Sequence, residues 1–437
     1  MRKFIILVFI ILIAMNCPVW LPAEGVSLEE AIQRGLERSA TYRNQALEEK
    51  SLELEKKTAQ MKRFFSLDSA GSYLFKSEQM EIAFPGKSIK AGAKHNYDLN
   101  LSLKQPFFTG NILSNGIKLS ELELAVAQNQ ALLEKIDIAA EIKSSYFNYH
   151  LLLDKRDSLE TLIRQLGLHL KKIEDFFKEE LVRKTDLLET RRKLREQELN
   201  VEDLNHLIAA EKFHFEKLCG LDIDAVAVGY VEKVDDYEGA LAAFKSSHPL
   251  LQTLDRNLAM LSTRGKMVKG GYLPQVAGFA ELHYGRPGLD FFKNQWQLYF
   301  QGGVSFSLKL FDWDKRKRDL MVLDYAGEKV KNQRDDFILE GEKLLKQLFD
   351  AKGSMEKKIG ILDDLVGTAA EDVGLKADLY REQQVANIDY LDALTTKERY
   401  ESMKKETMMQ LELVKVSINR VIGKTVSHGR NGNTDGH

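Results

Sequence analysis

Two stretches of the chain alternate apolar and polar residues. Tyr97, Leu99, Leu101 and Leu103 alternate with Asp98, Asn100, Ser102 and Lys104. A longer run sets Trp296, Leu298, Phe300, Gly302, Val304, Phe306, Leu308 and Leu310 against Gln295, Gln297, Tyr299, Gln301, Gly303, Ser305, Ser307 and Lys309. A period of two predicts strands with one apolar and one polar face, over about 97–106 and 295–310. Weaker partners precede them at about 66–76 and 273–284, followed by loops that hold Pro85-Gly86 and Pro287-Gly288. The remainder is rich in Leu, Glu, Lys, Gln and Ala, and no proline lies between Phe107 and His248 or after Gly288. Because proline breaks a helix interior, these stretches predict long helices over about 110–181, 185–219, 315–382 and 386–422. Some 70 residues of helix reach roughly 105 Å. A further helix opens each half, from Ser27 to about Phe65 and from about Tyr237 to Gly271, and Ser27 with Glu30 forms a capping box.

The halves are related. Phe107-Phe108-Thr109-Gly110 corresponds to Leu310-Phe311-Asp312-Trp313, Asp186-Leu187-Leu188-Glu189 to Asp389-Tyr390-Leu391-Asp392, and Leu218-Cys219-Gly220 to Val421-Ile422-Gly423, each pair 203 residues apart. A constant offset over that span indicates a gapless duplication. The expected organisation is a first repeat over 24–226, a second over 227–423, and a polar, disordered tail over 424–437.

The N-terminus changes the setting. Met1-Arg2-Lys3, an apolar run from Phe4 to Ala14, and Leu21-Pro22-Ala23 make a signal peptide over 1–23, too short to span a membrane comfortably. Cys17 falls within it, after a poor lipoprotein context at Asn16, so Cys219 is expected to be the lone cysteine of the exported chain, without a disulfide. No later segment has the ~18 consecutive apolar residues of a spanning helix. Lys and Arg total 63 against 65 Asp and Glu, a balance that points away from a nucleic-acid partner. No nucleophile–base set, phosphate loop or zinc spacing is present, so neither enzyme activity, nor a cofactor, nor a metal site is expected.

Four half-apolar strands in an exported, otherwise helical chain suit two readings. One is a soluble sheet packed on helices. The other is a share of a transmembrane barrel, with lipid on the apolar face and water on the polar one. Bacterial barrels need at least about 8 strands, so the second reading requires an oligomer, and three copies supply twelve. Trp296, Trp313, Phe107, Phe108 and Phe311 stand near segment ends, where aromatic girdles sit.

Over essentially the whole exported length the sequence resembles the TolC family of outer-membrane efflux proteins. The resemblance is carried by Ser27-Leu28-Glu29-Glu30-Ala31-Ile32, Ser247-His248-Pro249-Leu250, Gln105-Pro106-Phe107-Phe108-Thr109-Gly110, Lys309-Leu310-Phe311-Asp312 and Ile388-Asp389-Tyr390-Leu391-Asp392-Ala393. No single motif is specific; their order and spacing are. The resemblance implies a mixed α/β membrane protein: a homotrimer with a twelve-stranded β-barrel, four strands per chain, continuous with a long α-helical periplasmic barrel. It further implies the outer membrane of a Gram-negative cell, a passive exit duct in a tripartite efflux or type I secretion system, and partners in a periplasmic adaptor and an RND or ABC pump. Asp389 and Asp392 match the family's acidic constriction, and at three residues apart they share a helix face. Asp186, Thr185 and Tyr380 match its latch. The latch arginine corresponds here to Val385, for which Arg183 or Lys184 would have to substitute, and Glu180 and Gln383 replace glycines usual at the two periplasmic turns. The competing reading of these acids is a solvated helix face. The competing reading of the whole chain is a periplasmic coiled-coil adaptor or spacer without a channel. Which cargo passes is not legible.

Overall fold

A computed structural model describes residues 26–382 and 384–424. The expected signal peptide, the tail after Lys424 and Gln383 lie outside the described residues. The chain divides into a sheet unit, Asn44–Leu133 with Ser247–Glu340, and a helical unit built from the remaining segments.

In the sheet unit, β1 (Ser66–Phe75), β4 (His95–Thr109), β5 (Gln275–Arg286) and β6 (Gln297–Ser307) form one antiparallel sheet in the order β1-β4-β5-β6. Register places Leu101 opposite Ser69 and Leu282, and Leu282 opposite Phe300. One face therefore carries Leu67, Leu99, Leu101, Leu282, Leu298, Phe300, Val304 and Phe306, all exposed, with Phe300 at 69%. The other carries Asp98, Ser102, Glu281, His283 and Gln301.

Four local features depart from the sequence expectation. β4 continues past Pro106 because a bulge intervenes: Pro106 pairs with Ala277, Phe108 with Val276, and Phe107 is the extra residue. The Phe107 ring lies 2.8 Å from where a Cβ on Gly278 would be, so glycine there lets the ring rest against the strand. β6 stops at Ser307 instead of about 310, because its partner begins at Gln275, opposite Ser307, leaving Leu308 and Leu310 no ladder to join. The loop expected around Pro85-Gly86 is a small hairpin of β2 (Met80–Phe84) and β3 (Lys87–Ala91), turned at Gly86 with φ +83°.

The fourth departure is in the opening helices. Each breaks once, into α1 (Leu28–Arg38) and α2 (Ala40–Met61), and into α5 (Tyr237–Ser247) and α6 (Pro249–Gly270). Ser39 ends α1 by donating its N–H to Gly35 O, and its Oγ then accepts the Tyr42 N–H. His248 caps α6 with Nδ1 accepting from Leu250 N, ahead of Pro249. Serine is compatible with a helix interior, so nothing in composition marks the first break.

The long helices are α3 (Ile112–Lys178) and α7 (Lys315–Arg381), 67 residues each, with both ends of α7 203 positions after those of α3. They are followed by α4 (Lys184–Cys219) and α8 (Asn387–Val421). Each strand-to-helix step uses two consecutive left-handed residues, Gly110-Asn111 at φ +61° and +66°, and Trp313-Asp314 at +56° and +58°. Gly110 also abuts the backbone of Gly270, leaving no room for a Cβ. Trp313 accepts the same conformation with a bulky side chain, an outlier for such a residue.

In the helical unit, α1 buries Leu28, Ala31, Ile32 and Leu36 against Ile142, Tyr146 and Phe147 of α3, Phe215 and Cys219 of α4, and Val416 of α8. Ser27 Oγ accepts the Glu30 N–H at α1's start. The segment joining the halves is held by Lys143, whose Nζ is 2.8 Å from Glu232 Oε2, and by Asn419 Nδ2, which donates to Glu232 Oε1 at 2.6 Å. Burial pushes the Cys219 thiol up to about 12, so it behaves as an apolar core residue. Among the described residues no helix is long and apolar enough to cross a membrane, and no cluster of side chains is arranged to hold a metal ion.

Candidate functional site

The helix ends farthest along the chain from the strands meet where α3 passes into α4 and α7 into α8. Leu181 N donates to Phe176 O at 2.9 Å and Gln384 N to Leu379 O at 2.9 Å, closing both helices with the same six-residue ring. In the first turn, Glu180 occupies the left-handed position, φ +59°.

The next helices also start alike. The N-cap positions are Arg183 and Ala386, both extended, with ψ 154° and 153°, and neither has a side chain that accepts a hydrogen bond. The acceptor comes from the third helical residue instead. Asp186 Oδ2 accepts the Arg183 N–H at 3.2 Å, and Asp389 Oδ2 accepts the Ala386 N–H at 3.2 Å. A carboxylate there also sits favourably at the positive end of the helix dipole. Asp186 and Asp389 thus share one capping function 203 positions apart. Arg183, itself exposed, adds an ion pair to the half-buried Asp186 at 3.5 Å, and Thr185 is exposed. Asp392, one turn beyond Asp389, is exposed and pairs with Lys193 of α4 at 3.5 Å.

A cavity of about 350 Å³ is lined in part by Arg183, Asp186, Tyr380, Val385 and Asn387. The structure therefore brings together three of the four latch candidates, with Asp389, Asp392 and Thr185 outside the lining. The Tyr380 hydroxyl is buried with no hydrogen-bond partner. Burial first, then the Asp186 charge, pushes its pKa above 10. Val385 lines the same cavity, and its side chain has no donor or acceptor to offer that hydroxyl.

A buried polar cluster at this end is built on side chains not singled out in the sequence, and it meets the singled-out residues at the Asp186 carbonyl and the Tyr380 ring. Asn387, His169 and Thr190 are each buried and hydrogen-bonded together. They come from three helices, so no spacing in the sequence joins them. The one usable signal is the repeat: 203 positions before Asn387 stands the exposed Lys184, and 203 after Thr190 stands Ala393.

A second cluster occupies the polar face of the sheet. His283 Nδ1 is 3.0 Å from Asp98 Oδ1, Gln301 Nε2 donates to Glu281 Oε2 at 2.9 Å, Ser102 Oγ donates to Glu281 Oε1 at 3.3 Å, and the Tyr299 ring stacks on His283 at 4.8 Å. These contacts tie β4, β5 and β6 together across their polar face.

No family model matches the sequence, and no curated protein matches it. Solved structures do. The outer membrane protein VceC of Vibrio cholerae aligns with a TM-score of 0.75 at 14% identity, covering 91% of this chain and 96% of that one. The open state of the Neisseria gonorrhoeae MtrE outer membrane channel aligns at 0.73 and 12%, covering 91% and 89%. The Campylobacter jejuni CmeC outer membrane channel aligns at 0.72 and 11%, covering 93% and 87%. Over nine-tenths of its length, the chain has the fold of these outer-membrane channels, the fold implied by its sequence resemblance to the TolC family.

Proposed function

We propose that this protein is an exit duct of the outer membrane, assembled as a homotrimer, through which solutes pass without a catalytic step. The observation that carries the reading is the sheet. Its large apolar side chains stand exposed on one face while its polar side chains are hydrogen-bonded across the other. A soluble sheet packs its apolar face inward; a barrel wall turns it toward lipid. Four strands close no barrel, and three copies supply twelve. The helical unit, built round a buried apolar cluster, suits the periplasm.

The duct takes cargo from an inner-membrane pump of the RND or ABC type through a periplasmic adaptor, in tripartite efflux or type I secretion. Its gate is the end where α4 and α8 begin. Three copies of Asp389 and Asp392 make rings of carboxylates that favour cations. Arg183, Thr185, Asp186 and Tyr380 form the latch, which lacks an arginine at Val385.

Two measurements test the reading. The protein should resist extraction by salt or carbonate and leave the envelope only in detergent; release without detergent would overturn the duct. In planar bilayers the purified trimer should conduct with cation preference, and Asp389→Ala with Asp392→Ala should reduce that preference while leaving the trimer intact. A parent-like ratio in the double variant would overturn the gate assignment alone.

A further inference from the structure

Three elements at the proposed gate are joined through one amide. Asn387 is the first residue of α8 and only 4% exposed. Its Nδ2 donates to Thr190 Oγ1 at 3.1 Å and to Asp186 O at 3.4 Å, both on α4. Its Oδ1 is 2.6 Å from His169 Nε2, on α3, close enough for a firm hydrogen bond from the imidazole N–H. The Thr190 hydroxyl donates to Asp186 O at 2.9 Å. The reverse amide orientation would turn Oδ1 toward the Asp186 carbonyl, so these partners select the one described. The His169 ring itself rests against Tyr380 and Tyr390, with centroids 5.3 and 4.8 Å away, and these two rings stack on each other.

We infer that the His169–Asn387 pair is a pin fixing the first turn of α8 against α3 and α4, which makes both of them positioning residues for the ion selectivity of the duct. The inference rests on the reading of Asp389 and Asp392 as the gate. Those aspartates stand two and five residues after Asn387, so wherever the amide is held, the carboxylates are held too. Their own contacts constrain them little. Asp389 bonds only within its own helix start, and Asp392 pairs with Lys193 while 61% exposed, an arrangement that contributes little. The related position in the first repeat is the exposed Lys184, so α4 has no buried amide of its own to match Asn387, and its start is held by the Arg183–Asp186 pair and by the bonds that Asp186 O accepts. A buried, doubly bonded amide is directional and shielded from water, and its loss leaves the His169 donor without a partner. The pin therefore starts from the second repeat, the one whose carboxylates are assigned to the filter, and ties it to the first.

The test uses the full-length protein in planar bilayers, with potassium-over-chloride permeability read from the reversal potential in a KCl gradient. Asn387→Ala should lower the permeability ratio at least threefold and broaden the distribution of conductance levels. His169→Phe keeps the ring against Tyr380 and Tyr390 but removes the donor, and should do the same. His169→Gln restores an N–H donor and should return the ratio toward the parent. If Asn387→Ala and His169→Phe keep the parent ratio while Asp389→Ala with Asp392→Ala loses it, the gate stands and the pin is wrong. If His169→Gln is as impaired as His169→Phe, the hydrogen bond is not the cause and the pin is overturned. If the double aspartate variant keeps the parent ratio, the gate reading fails first and the pin with it.

Discussion

The helical unit encloses a core of large apolar side chains: Phe215, Ile142 and Leu36 of the main cluster are at most 2% exposed, although Phe213 and Leu168 stand outside at 69% and 68%. On the sheet no such core forms: Phe300, Leu298, Val304 and Phe306 are each at least 65% exposed, while Ser102 and His283 on the opposite face are nearly covered. The helical cluster and the sheet's apolar face draw on the same residue types and give them opposite surroundings. Periodicity says which residues share a face. It does not say which face is wet. That second fact emerges only when register shows that the polar face is satisfied within itself, through Asp98, His283, Glu281 and Gln301, and the apolar face is not covered.

Substitution should separate the units sharply. Phe215→Ala should cost roughly 3–5 kcal/mol of stability, the usual loss for a fully buried aromatic. Phe300→Ala, by the same denaturant measurement in detergent, should cost well under half of that, because its ring touches solvent or detergent over most of its surface. Equal losses would break the contrast and argue that the sheet's apolar face packs on protein. The next effect down requires lipid. Leu298→Asp or Leu101→Lys should hinder assembly into vesicles by about 2–4 kcal/mol, the cost of a charge facing lipid at mid-depth. Normal assembly of both would place the other face against the bilayer.

Much of this arrangement was legible in the sequence because it rests on period and spacing. The alternation around Leu101 and Phe300, the proline-free helices and the 203-residue offset are one-dimensional signals, and they correspond to the sheet and to two helices of equal length. What was not legible depended on distant partners. The end of β6 is set by where β5 begins, the bulge at Phe107 by the space above Gly278, and the break at Ser39 by a hydroxyl that caps the helix that follows. The same holds at the tip. Asp186 and Asp389 were visible as a repeated pair, but their capping role is a matter of backbone geometry, and their service in a gate is our proposal. Asn387 and His169, 218 positions apart, carried no signal that either alone would reveal.

The helical unit should also respond to acid through its interior, in a way that an exposed sheet face does not. Burial, followed by the nearby Lys172, holds the His169 pKa below its ordinary 6.5, the bond to Asn387 only partly opposing. The unfolded chain then takes up a proton at higher pH than the folded one. The stability His169 contributes is full above about 6.5 and is lost as pH falls below it. His150 of the same unit and His248, on a helix of the sheet unit, are shifted in the same direction, His248 to about 4, so acid sensitivity is shared. The part due to His169 is isolated by difference: between pH 7.5 and 5.0 the parent should lose more stability than His169→Gln. Identical losses would mean that the imidazole stays neutral in both states or is solvated when folded.

The smallest expected effect concerns strain, and each unit holds an example. Glu180 in the helical unit and Trp313 at the strand-to-helix step of the sheet unit both take the left-handed conformation that glycine favours. For an L-residue that conformation costs roughly 1–2 kcal/mol. Glu180→Gly relieves it and removes a carboxylate from the negative end of α3, but it also gives the unfolded chain about 0.4–1 kcal/mol of extra freedom. Glu180 is exposed, so no packing is lost. The net gain should be at most about 1 kcal/mol, read as a higher denaturation midpoint. Trp313→Gly obtains the same relief but gives up an indole that is 78% exposed and stacked edge-on with Phe311. If the sheet unit meets lipid, that indole belongs at the membrane interface, where tryptophan is favoured. The variant should then gain stability in detergent and lose vesicle affinity. Stabilisation of Trp313→Gly in both media would show that the tryptophan is strained without a membrane to justify it, and the contrast between the two units would lose its support at that step.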